Sequence, residues 1–291
     1  MGFFAELQVI LLSLFSPWEF MGVSLSYLPG TFGHLIRNRD FQTITSWSRL
    51  QDAWFSAFWA WAGPRIREGN ADKIVALFDG RVTGATMTAA PLHAPLNGTV
   101  LDIGPGLGFW VDVYARINKE RGESKEGGLK IYGIEPNVEL HAALRQNIDR
   151  VGLGDKYHVV PAGIQSLVNV DKQNSTFAPI EKGSVDCIVT LLCLCSIPEP
   201  GKNIAELYQY LKKGGRWYLY EHVEVQGNWM MSLYQRFLNI FWPIALGGCQ
   251  LCRNTEEHLR RAGPWEKFDI AQPPDEQWYE AVPHRFGVLQ K

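Results

Sequence analysis

The run Asp102-Ile103-Gly104-Pro105-Gly106-Leu107-Gly108 constrains the fold more than any other part of this 291-residue sequence. It follows the apolar stretch Val100–Ile103 and precedes a segment with helical spacing, so it predicts a turn between a strand and a helix. Glycines in such a turn let the backbone approach a ligand where a Cβ would collide. The next helix offers free N–H groups and a positive dipole end to an anion. The run therefore predicts an anion-binding site at the end of a strand.

Strand patterns alternate with helical patterns from Thr99 onward. This order predicts an α/β fold with a doubly wound, mostly parallel, seven-stranded sheet. Residues 96–291 are long enough for this domain, and residues 1–95 form a predicted helical, Trp-rich N-terminal region. The predicted strands are 100–103, 129–134, 157–160, 185–192, 216–221, 265–270 and 285–289.

The N-terminal region has two apolar parts. Residues 3–28 carry two charges, and Pro17 is expected to end the first helix, which leaves too short an apolar run to span a membrane. Two alternatives stay open: a helix buried on the protein body, or a helix lying in a membrane surface. The aromatic stretches 54–61 and 229–242 either form a lid over an apolar pocket or pack as core. Helices are also expected at 46–61 and 70–78, with a linker at 83–97.

A second ligand-binding pattern is Ile134-Glu135-Pro136-Asn137, at the end of the second predicted strand. An acidic side chain there can accept hydrogen bonds from both hydroxyls of a ribose. The alternative is a carboxylate that caps the following helix. Together with the glycine run, Glu135 favours ribose binding. A nicotinamide dinucleotide site is disfavoured, because Phe109 stands where that glycine pattern needs a small residue.

Composition excludes several other classes of protein. The net charge is −2 and there is no run of Lys or Arg, so no nucleic-acid partner is expected. The five cysteines do not form the pattern of a secreted disulfide framework, which indicates reduced thiols in the cytoplasm. Cys249 and Cys252 have metal-binding or redox spacing, but a second ligand pair is missing, so no metal site is predicted.

These motifs together resemble class I S-adenosylmethionine-dependent methyltransferases. Residues 100–108 resemble their first motif, Glu135 their ribose-binding acid, residues 184–189 their fourth strand and residues 211–216 the turn before their fifth. The resemblance covers about residues 97–225 and implies S-adenosylmethionine as the cofactor. The residues that it implies for cofactor binding are Asp102, Gly104, Pro105, Gly106, Gly108, Glu135, Pro136, Asn137, Gly163, Ile164, Gln165, Thr190 and Leu191.

A narrower resemblance rests on residues 194–197 and 220–223, together with Gly248-Cys249 and Pro283-His284. These segments resemble the membrane-associated alkyl-thiol methyltransferases. Those enzymes carry an apolar N-terminal anchor, and residues 3–28 of this chain would match it. Enzymes that methylate apolar natural products are an equal alternative. His222 follows the fifth strand at the ligand-binding edge, where a neutral imidazole can accept a proton from the substrate. Cys195, Ser196 and His284 are further candidates at this edge, with packing as the favoured role of the first two. Glu221 either orients His222 or caps a helix.

The sequence therefore predicts methyl transfer to an oxygen, sulfur or nitrogen atom of an apolar small molecule. A peripheral contact with an intracellular membrane through residues 3–28 is the associated prediction. One alternative is a protein of the same fold that binds the cofactor but catalyses a cyclisation or isomerisation. The other is a non-catalytic scaffold at a membrane.

Overall fold

A central sheet of seven strands organises the computed structural model, which describes residues 3–122, 128–167 and 180–291. A small antiparallel hairpin, β1 (Val82–Thr83) and β2 (Thr86–Met87), precedes it within the predicted linker. The sheet strands are β3 (Thr99–Ile103), β4 (Lys130–Ile134), β5 (Tyr157–Val160), β6 (Val185–Leu191), β7 (Leu211–His222), β8 (Lys267–Ala271) and β9 (His284–Gln290). Their order across the sheet is β5-β4-β3-β6-β7-β9-β8.

The pairing of the strands confirms the predicted α/β fold. Strands β3 to β7 pair in parallel, and β9 runs antiparallel between β7 and β8. The chain order reverses between β3 and β6, so the loops after these two strands diverge and leave a crevice. The glycine run follows β3 directly, at that crevice.

Helices cover both faces of the sheet. In chain order they are α1 (Phe3–Arg37), α2 (Phe41–Ile44), α3 (Trp47–Phe78), α4 (Val111–Gly122), α5 (Val138–Arg150), α6 (Pro200–Tyr210), α7 (Trp229–Leu238), α8 (Trp242–Ala245) and α9 (Thr255–Arg261). The turn expected within residues 211–216 was wrong, because these residues belong to β7. The aromatic stretch 229–242 is divided between α7 and α8, and Asn254 caps α9.

Helix α1 continues through Pro17 and Pro29, so the expected break at Pro17 was wrong. A proline inside a helix removes one backbone hydrogen bond, and tertiary contacts must offset that loss. The Tyr234 hydroxyl supplies them on both sides of Pro17, because it accepts a hydrogen bond from Trp18 Nε1 at 3.0 Å and donates one to the Leu14 carbonyl. Among the described residues, α1 is the one helix that is long and apolar enough to cross a membrane. The sequence had predicted an apolar run too short for this.

Helix α3 is one 32-residue helix that also passes through a proline, Pro64, where two separate helices were expected. It crosses directly over the segment that follows the glycine run. Gly63 permits this approach, since a Cβ there would lie 1.9 Å from the Phe109 ring. Arg67 Nε donates to the Phe109 carbonyl at 2.7 Å. The N-terminal region thus packs against the predicted ligand-binding edge.

The hydrophobic core extends across the predicted boundary between residues 95 and 96. Ile74 and Phe78 near the end of α3 are fully buried, in the same cluster as Val100 of β3 and Ile131 of β4. A second cluster fills the opposite face of the sheet, and a third joins α1, α3 and α8. The third cluster contains Met21, Trp54 and Trp242, and it closes one side of the crevice.

Candidate active site

The glycine run turns sharply after β3. Gly104, Gly106 and Gly108 have φ angles of 64°, 59° and 77°, in the left-handed region that favours glycine. A Cβ on Gly104 would lie 2.7 Å from Cys193 Cβ, and one on Gly106 would lie 3.4 Å from Trp59 Nε1. The loop therefore needs glycine for both its backbone conformation and its close packing, and the small Cα surface leaves room for a ligand beside it.

Glu135, just after β4, is buried and points at the glycine run. Its Oε2 accepts the N–H of Gly106 at 2.9 Å, and its Oε1 accepts the N–H of Asn137 at 2.9 Å. Burial raises the pKa of Glu135, and these two hydrogen bonds partly offset the rise. A carboxylate has about four acceptor positions, so each oxygen keeps one for a ligand hydroxyl. Asn137, not Glu135, caps α5, because its side chain accepts the N–H of Glu139 at 3.0 Å.

Asp102 lies beneath the glycine run. Its Oδ2 accepts a hydrogen bond of 2.6 Å from the Tyr157 hydroxyl, and burial raises its pKa to about 6. Asp102, Pro105 and Gly108 border a small cavity of about 50 Å³ on this side of the loop. The Tyr157 contact indicates that Asp102 supports the loop from below.

The residues after β5 form another wall of the crevice. Ile164 is buried, whereas Gln165 is exposed and its amide folds over Gly163, where a Cβ would lie 2.6 Å from it. A second, larger cavity lies at this sheet edge and is called the main cavity below. All three residues line it, as do Pro136 and Asn137. An apolar surface beside a side-chain amide suits the flat, polar-edged ring of an adenine.

The last two residues of β6 differ in orientation. Leu191 lines the main cavity. Thr190 is fully buried, and its Oγ1 accepts a hydrogen bond of 2.9 Å from Trp217 Nε1. Thr190 does not line either of the two cavities at the sheet edge. Its side chain therefore stabilises the sheet and does not face the predicted cofactor.

One cavity of about 570 Å³ joins these residues to an apolar chamber. Gly104, Gly106 and Glu135 lie at one part of its wall, and His222 lies at another. The chamber has aromatic and aliphatic walls contributed by α1, α3 and α8 and by neighbouring loops: Phe20, Phe55, Phe58, Trp59, Trp242, Leu246 and Val282. Part of the two aromatic stretches thus borders a pocket, while Trp54 is core and Trp229 is exposed.

His222 ends β7 inside this cavity and contacts two cysteines. Its Nε2 lies 3.0 Å from Cys249 Sγ, and Cys249 Sγ lies 3.4 Å from Cys195 Sγ. Burial by itself lowers the pKa of His222, but the neighbouring Cys195 and Glu221 outweigh burial and raise it. Cys252, the second cysteine of the Cys-x-x-Cys spacing, is not part of this cluster.

Glu221 and His284 have roles that the sequence left open. Glu221 is fully buried and accepts the N–H groups of Cys193 and Leu194 at 3.0 and 3.1 Å, which fixes the loop after β6. Burial raises its pKa to about 7. His284 lines the cavity, stacks on Tyr220 at 4.7 Å between ring centroids, and contacts Glu276 Oε1 at 2.6 Å through Nδ1.

Two contributions to the site had no local signal in the sequence. Trp59 and Asn70 of α3 border the glycine run, although they lie more than 30 residues before it. Cys249 reaches His222 from the turn after α8. Both depend on how distant elements pack, which no spacing of neighbouring residues encodes.

A parallel sheet with an antiparallel β9 and a glycine loop facing a buried acid defines a class I methyltransferase fold. The model of the methyltransferase-domain family matches residues 76–261. The chain is 37% identical to thiol S-methyltransferase TMT1B of Rattus norvegicus over 194 residues, 66% of this chain and 70% of that protein. It is 31% identical to thiol S-methyltransferase TMT1A of Homo sapiens over 166 residues, 56% of this chain and 63% of that protein.

A solved structure supports the same fold. An O-methyltransferase family protein from Burkholderia thailandensis superposes with a TM-score of 0.53 at 13% identity, covering 93% of this chain and 72% of that chain. The protein belongs to the methyltransferase-domain family of class I S-adenosylmethionine-dependent enzymes. It is a methyltransferase, as predicted from the sequence, and this interpretation is favoured over a cyclase or isomerase of the same fold and over a non-catalytic scaffold.

Proposed function

We propose that this enzyme transfers the methyl group of S-adenosylmethionine to the thiol sulfur of an apolar small molecule. The observation that carries the proposal is the single cavity that joins Glu135 and the glycine run to His222 through an apolar chamber. Its relatives TMT1B and TMT1A are named thiol S-methyltransferases, which favours sulfur over oxygen and nitrogen as the acceptor.

The proposed cofactor fits the wall formed by the residues after β3, β4 and β5. The two free acceptor positions of Glu135 suit the ribose hydroxyls, and Ile164 and Gln165 suit the adenine. The glycine run and the start of α4 suit the carboxylate of the methionine part. Pro136, Asn137, Gly163 and Leu191 complete this wall. The sulfonium supplies a reactive methyl group, so the protein mainly aligns the acceptor and excludes water.

We propose that His222 acts on the substrate thiol, which is the methyl acceptor. It is buried, lines the cavity and lies beside sulfur atoms, an environment that a substrate thiol would share. A neutral imidazole there can accept the thiol proton, which leaves the more nucleophilic thiolate. The chamber walls around this position are largely aromatic and aliphatic, which limits the number of water molecules beside the reacting atoms.

The test is methylation of a matched panel of apolar thiols, phenols and amines, followed by mass spectrometry. We expect methylated thiols, and methylation of phenols or amines alone would overturn the choice of sulfur. His222→Ala should lower turnover while it keeps the thermal shift with S-adenosylhomocysteine. His258→Ala, on α9 and outside the cavity wall, is the matched control. Unchanged turnover in His222→Ala would show that His222 does not accept the proton of the substrate thiol.

We also propose that the enzyme contacts an intracellular membrane peripherally, through residues 3–28. Helix α1 exposes large apolar side chains along its first half, including Phe4, Leu12 and Phe15. Trp18 continues this surface onto α7 and the turn after it, since its ring lies 5.8 Å from Phe237 and 5.7 Å from Phe241, both partly exposed. Five free cysteines suit the reducing cytoplasmic side of such a membrane.

A flotation assay with phosphatidylcholine vesicles tests this contact. The full chain should float with the vesicles, and the double variant Leu12→Ser/Phe15→Ser should float several-fold less, because it removes apolar area that would enter the lipid. Val138→Ser, an exposed apolar residue of α5 outside this surface, is the control and should float like the unmodified chain. Equal flotation of all three proteins would contradict the proposal.

A further inference from the structure

Three buried side chains from distant parts of the chain converge on one point of the cavity wall. Cys195 lies in the loop after β6, His222 ends β7, and Cys249 lies in the turn after α8. Their possible ligand atoms all lie within 4.8 Å of one another. Within the described residues, this is the one group of three or more His, Cys, Asp or Glu side chains that comes so close together. Two of the separations are 3.0 Å for His222 Nε2 to Cys249 Sγ and 3.4 Å between the two sulfur atoms.

These separations are close to those of a tetrahedral zinc site. Zinc binds cysteine sulfur at about 2.3 Å and histidine nitrogen at about 2.0 Å, which places neighbouring tetrahedral ligands about 3.5 to 3.8 Å apart. The three side chains would need to spread by a few tenths of an ångström to accept the ion. Two sulfurs and one imidazole also form a typical ligand set for Zn²⁺.

We propose that Cys195, His222 and Cys249 bind one Zn²⁺ ion and leave its fourth position open to the substrate cavity. All three residues line that cavity, so the free position faces the chamber and not the protein core. Catalytic zinc sites commonly have three protein ligands and one open position, whereas structural sites have four. The metal site itself rests on the cluster, and its use for thiol activation rests on the proposed function.

The charges of the three proposed ligands match a divalent cation. Zn²⁺ displaces the thiol protons, and two thiolates with one neutral imidazole balance its charge. The resulting site is electrically neutral, which reduces the cost of burying it.

Surrounding residues support the ligands. Trp242 Nε1 donates to Cys249 Sγ at 3.2 Å, a contact that would stabilise a thiolate. The Arg253 guanidinium donates to the Leu194 carbonyl at 3.3 Å and to the Ile197 carbonyl at 2.5 Å, on either side of Cys195. The loop that carries Cys195 is thus fixed at both ends, and Glu221 holds its start. Such outer contacts are what orients metal ligands.

The site changes the role of His222 from proton acceptor to ligand. The substrate thiol would bind at the open position and lose its proton to solvent, forming a zinc-bound thiolate. That sulfur then forms a bond to the methyl carbon, while the bond between the methyl carbon and the cofactor sulfur breaks and its electron pair stays on that sulfur. The product is a thioether and S-adenosylhomocysteine. A neutral thioether binds zinc more weakly than a thiolate, which favours product release.

Metal analysis of the full chain, purified without chelating resins, tests the site directly. We expect about one zinc per chain, and the cobalt-loaded protein should show the visible spectrum of a tetrahedral, thiolate-bound ion. Cys195→Ser and Cys249→Ser should each lower zinc occupancy at least tenfold at a fixed competing chelator concentration. Cys252→Ser should retain zinc, because Cys252 lies outside the cluster. A thermal shift with S-adenosylhomocysteine in each variant checks that it is folded.

Three results would overturn the proposal. They are a metal-free wild-type chain that does not take up added zinc, equal zinc in all three cysteine variants, or an intact mass lower by two hydrogens that reveals a Cys195–Cys249 disulfide in place of the metal. Failure of the proposed function can be distinguished from failure of the metal site. If metal-free protein methylates thiols at an unchanged rate, the role of the metal in thiol activation is overturned, and thiol methylation stands. If zinc binds at these residues but no thiol is methylated, the site stands and the substrate assignment fails.

Discussion

Two buried glutamates at the sheet edge, Glu135 and Glu221, accept hydrogen bonds from adjacent loops but have different roles. Glu135 accepts one N–H from the glycine run and keeps acceptor positions toward the cavity. Glu221 uses both oxygens on backbone N–H groups of the loop after β6 and does not line the cavity. We therefore propose that the first binds the ligand, whereas the second positions the loop that carries Cys195.

Replacement of Glu135 should weaken cofactor binding strongly. Glu135→Gln removes the negative charge and one acceptor, so a charge-assisted hydrogen bond is lost at a cost of about 1.5–3 kcal/mol, equivalent to tenfold or more in Kd. Isothermal titration calorimetry with S-adenosylhomocysteine measures this change. Glu139→Gln, an exposed residue of α5, is the control and should bind normally. Equal affinity of the two variants would contradict ribose binding by Glu135.

Glu221 should make the stability of the protein fall as the pH rises toward neutrality. Burial raises its pKa from 4.5 to about 7. The folded state therefore holds this proton more tightly than the unfolded state, and the associated stability is complete below about pH 4.5 and is lost as the pH rises through 7. The loss is about 3 kcal/mol at most, from 1.36 kcal/mol per pH unit.

The comparison that isolates this effect is Glu221→Gln. Urea unfolding at pH 5 and pH 7.5 should show a smaller drop in the free energy of unfolding for Glu221→Gln than for the unmodified protein. Asp102, whose pKa is raised to about 6, contributes a drop of the same sign in both proteins. An identical drop in the two proteins would show that Glu221 is not the titrating group.

Among the elements, α3 connects the N-terminal helices to the cofactor loop. It contacts α1 through Trp54, whose Nε1 donates to the Ser24 carbonyl at 2.7 Å, and it approaches the glycine run through Gly63 and Arg67. Ser24 in turn donates to the Ala245 carbonyl of α8 at 2.5 Å. One wall of the substrate chamber therefore depends on the contacts among α1, α3 and α8.

Trp54→Ala should destabilise the protein by about 3–5 kcal/mol, because it removes a large, fully buried ring and leaves a cavity. Trp54→Phe should cost less, since the core stays filled and mainly the hydrogen bond to Ser24 is lost. Trp47→Ala, at a site 57% exposed on the same helix, should change the free energy of unfolding by about 0.5 kcal/mol or less. Urea denaturation measures all three. A similar loss for Trp47→Ala and Trp54→Ala would contradict this packing.

For the whole molecule, cofactor binding should stabilise the fold because the site is assembled from loops after several strands. A ligand at 100 times its Kd stabilises a protein by about 2.7 kcal/mol. For a chain of this size that raises Tm by about 5 °C or more. Differential scanning fluorimetry with S-adenosylhomocysteine should show the shift, and NAD should produce none. A shift with NAD alone would contradict the cofactor assignment.

The sequence by itself determined the parallel sheet and the placement of the glycine run and Glu135 after neighbouring strands. The signals for these features are local: an apolar strand, a glycine run at fixed spacing, and Glu135 directly after the next strand. Such patterns fix which residues follow the carboxyl ends of strands, and parallel strands bring those ends together. The predicted strands accordingly overlap the observed ones, although β7 begins at Leu211, five residues before its predicted start.

Only the tertiary structure decided which distant residues meet. Helices α1 and α3 continue through prolines because packing offsets the lost hydrogen bonds, as the Tyr234 contacts around Pro17 illustrate. Cys249 pairs with His222 and Cys195, not with Cys252, because the turn after α8 packs against the end of β7. Local spacing cannot encode such meetings, since they result from the sum of many long-range contacts over the whole core.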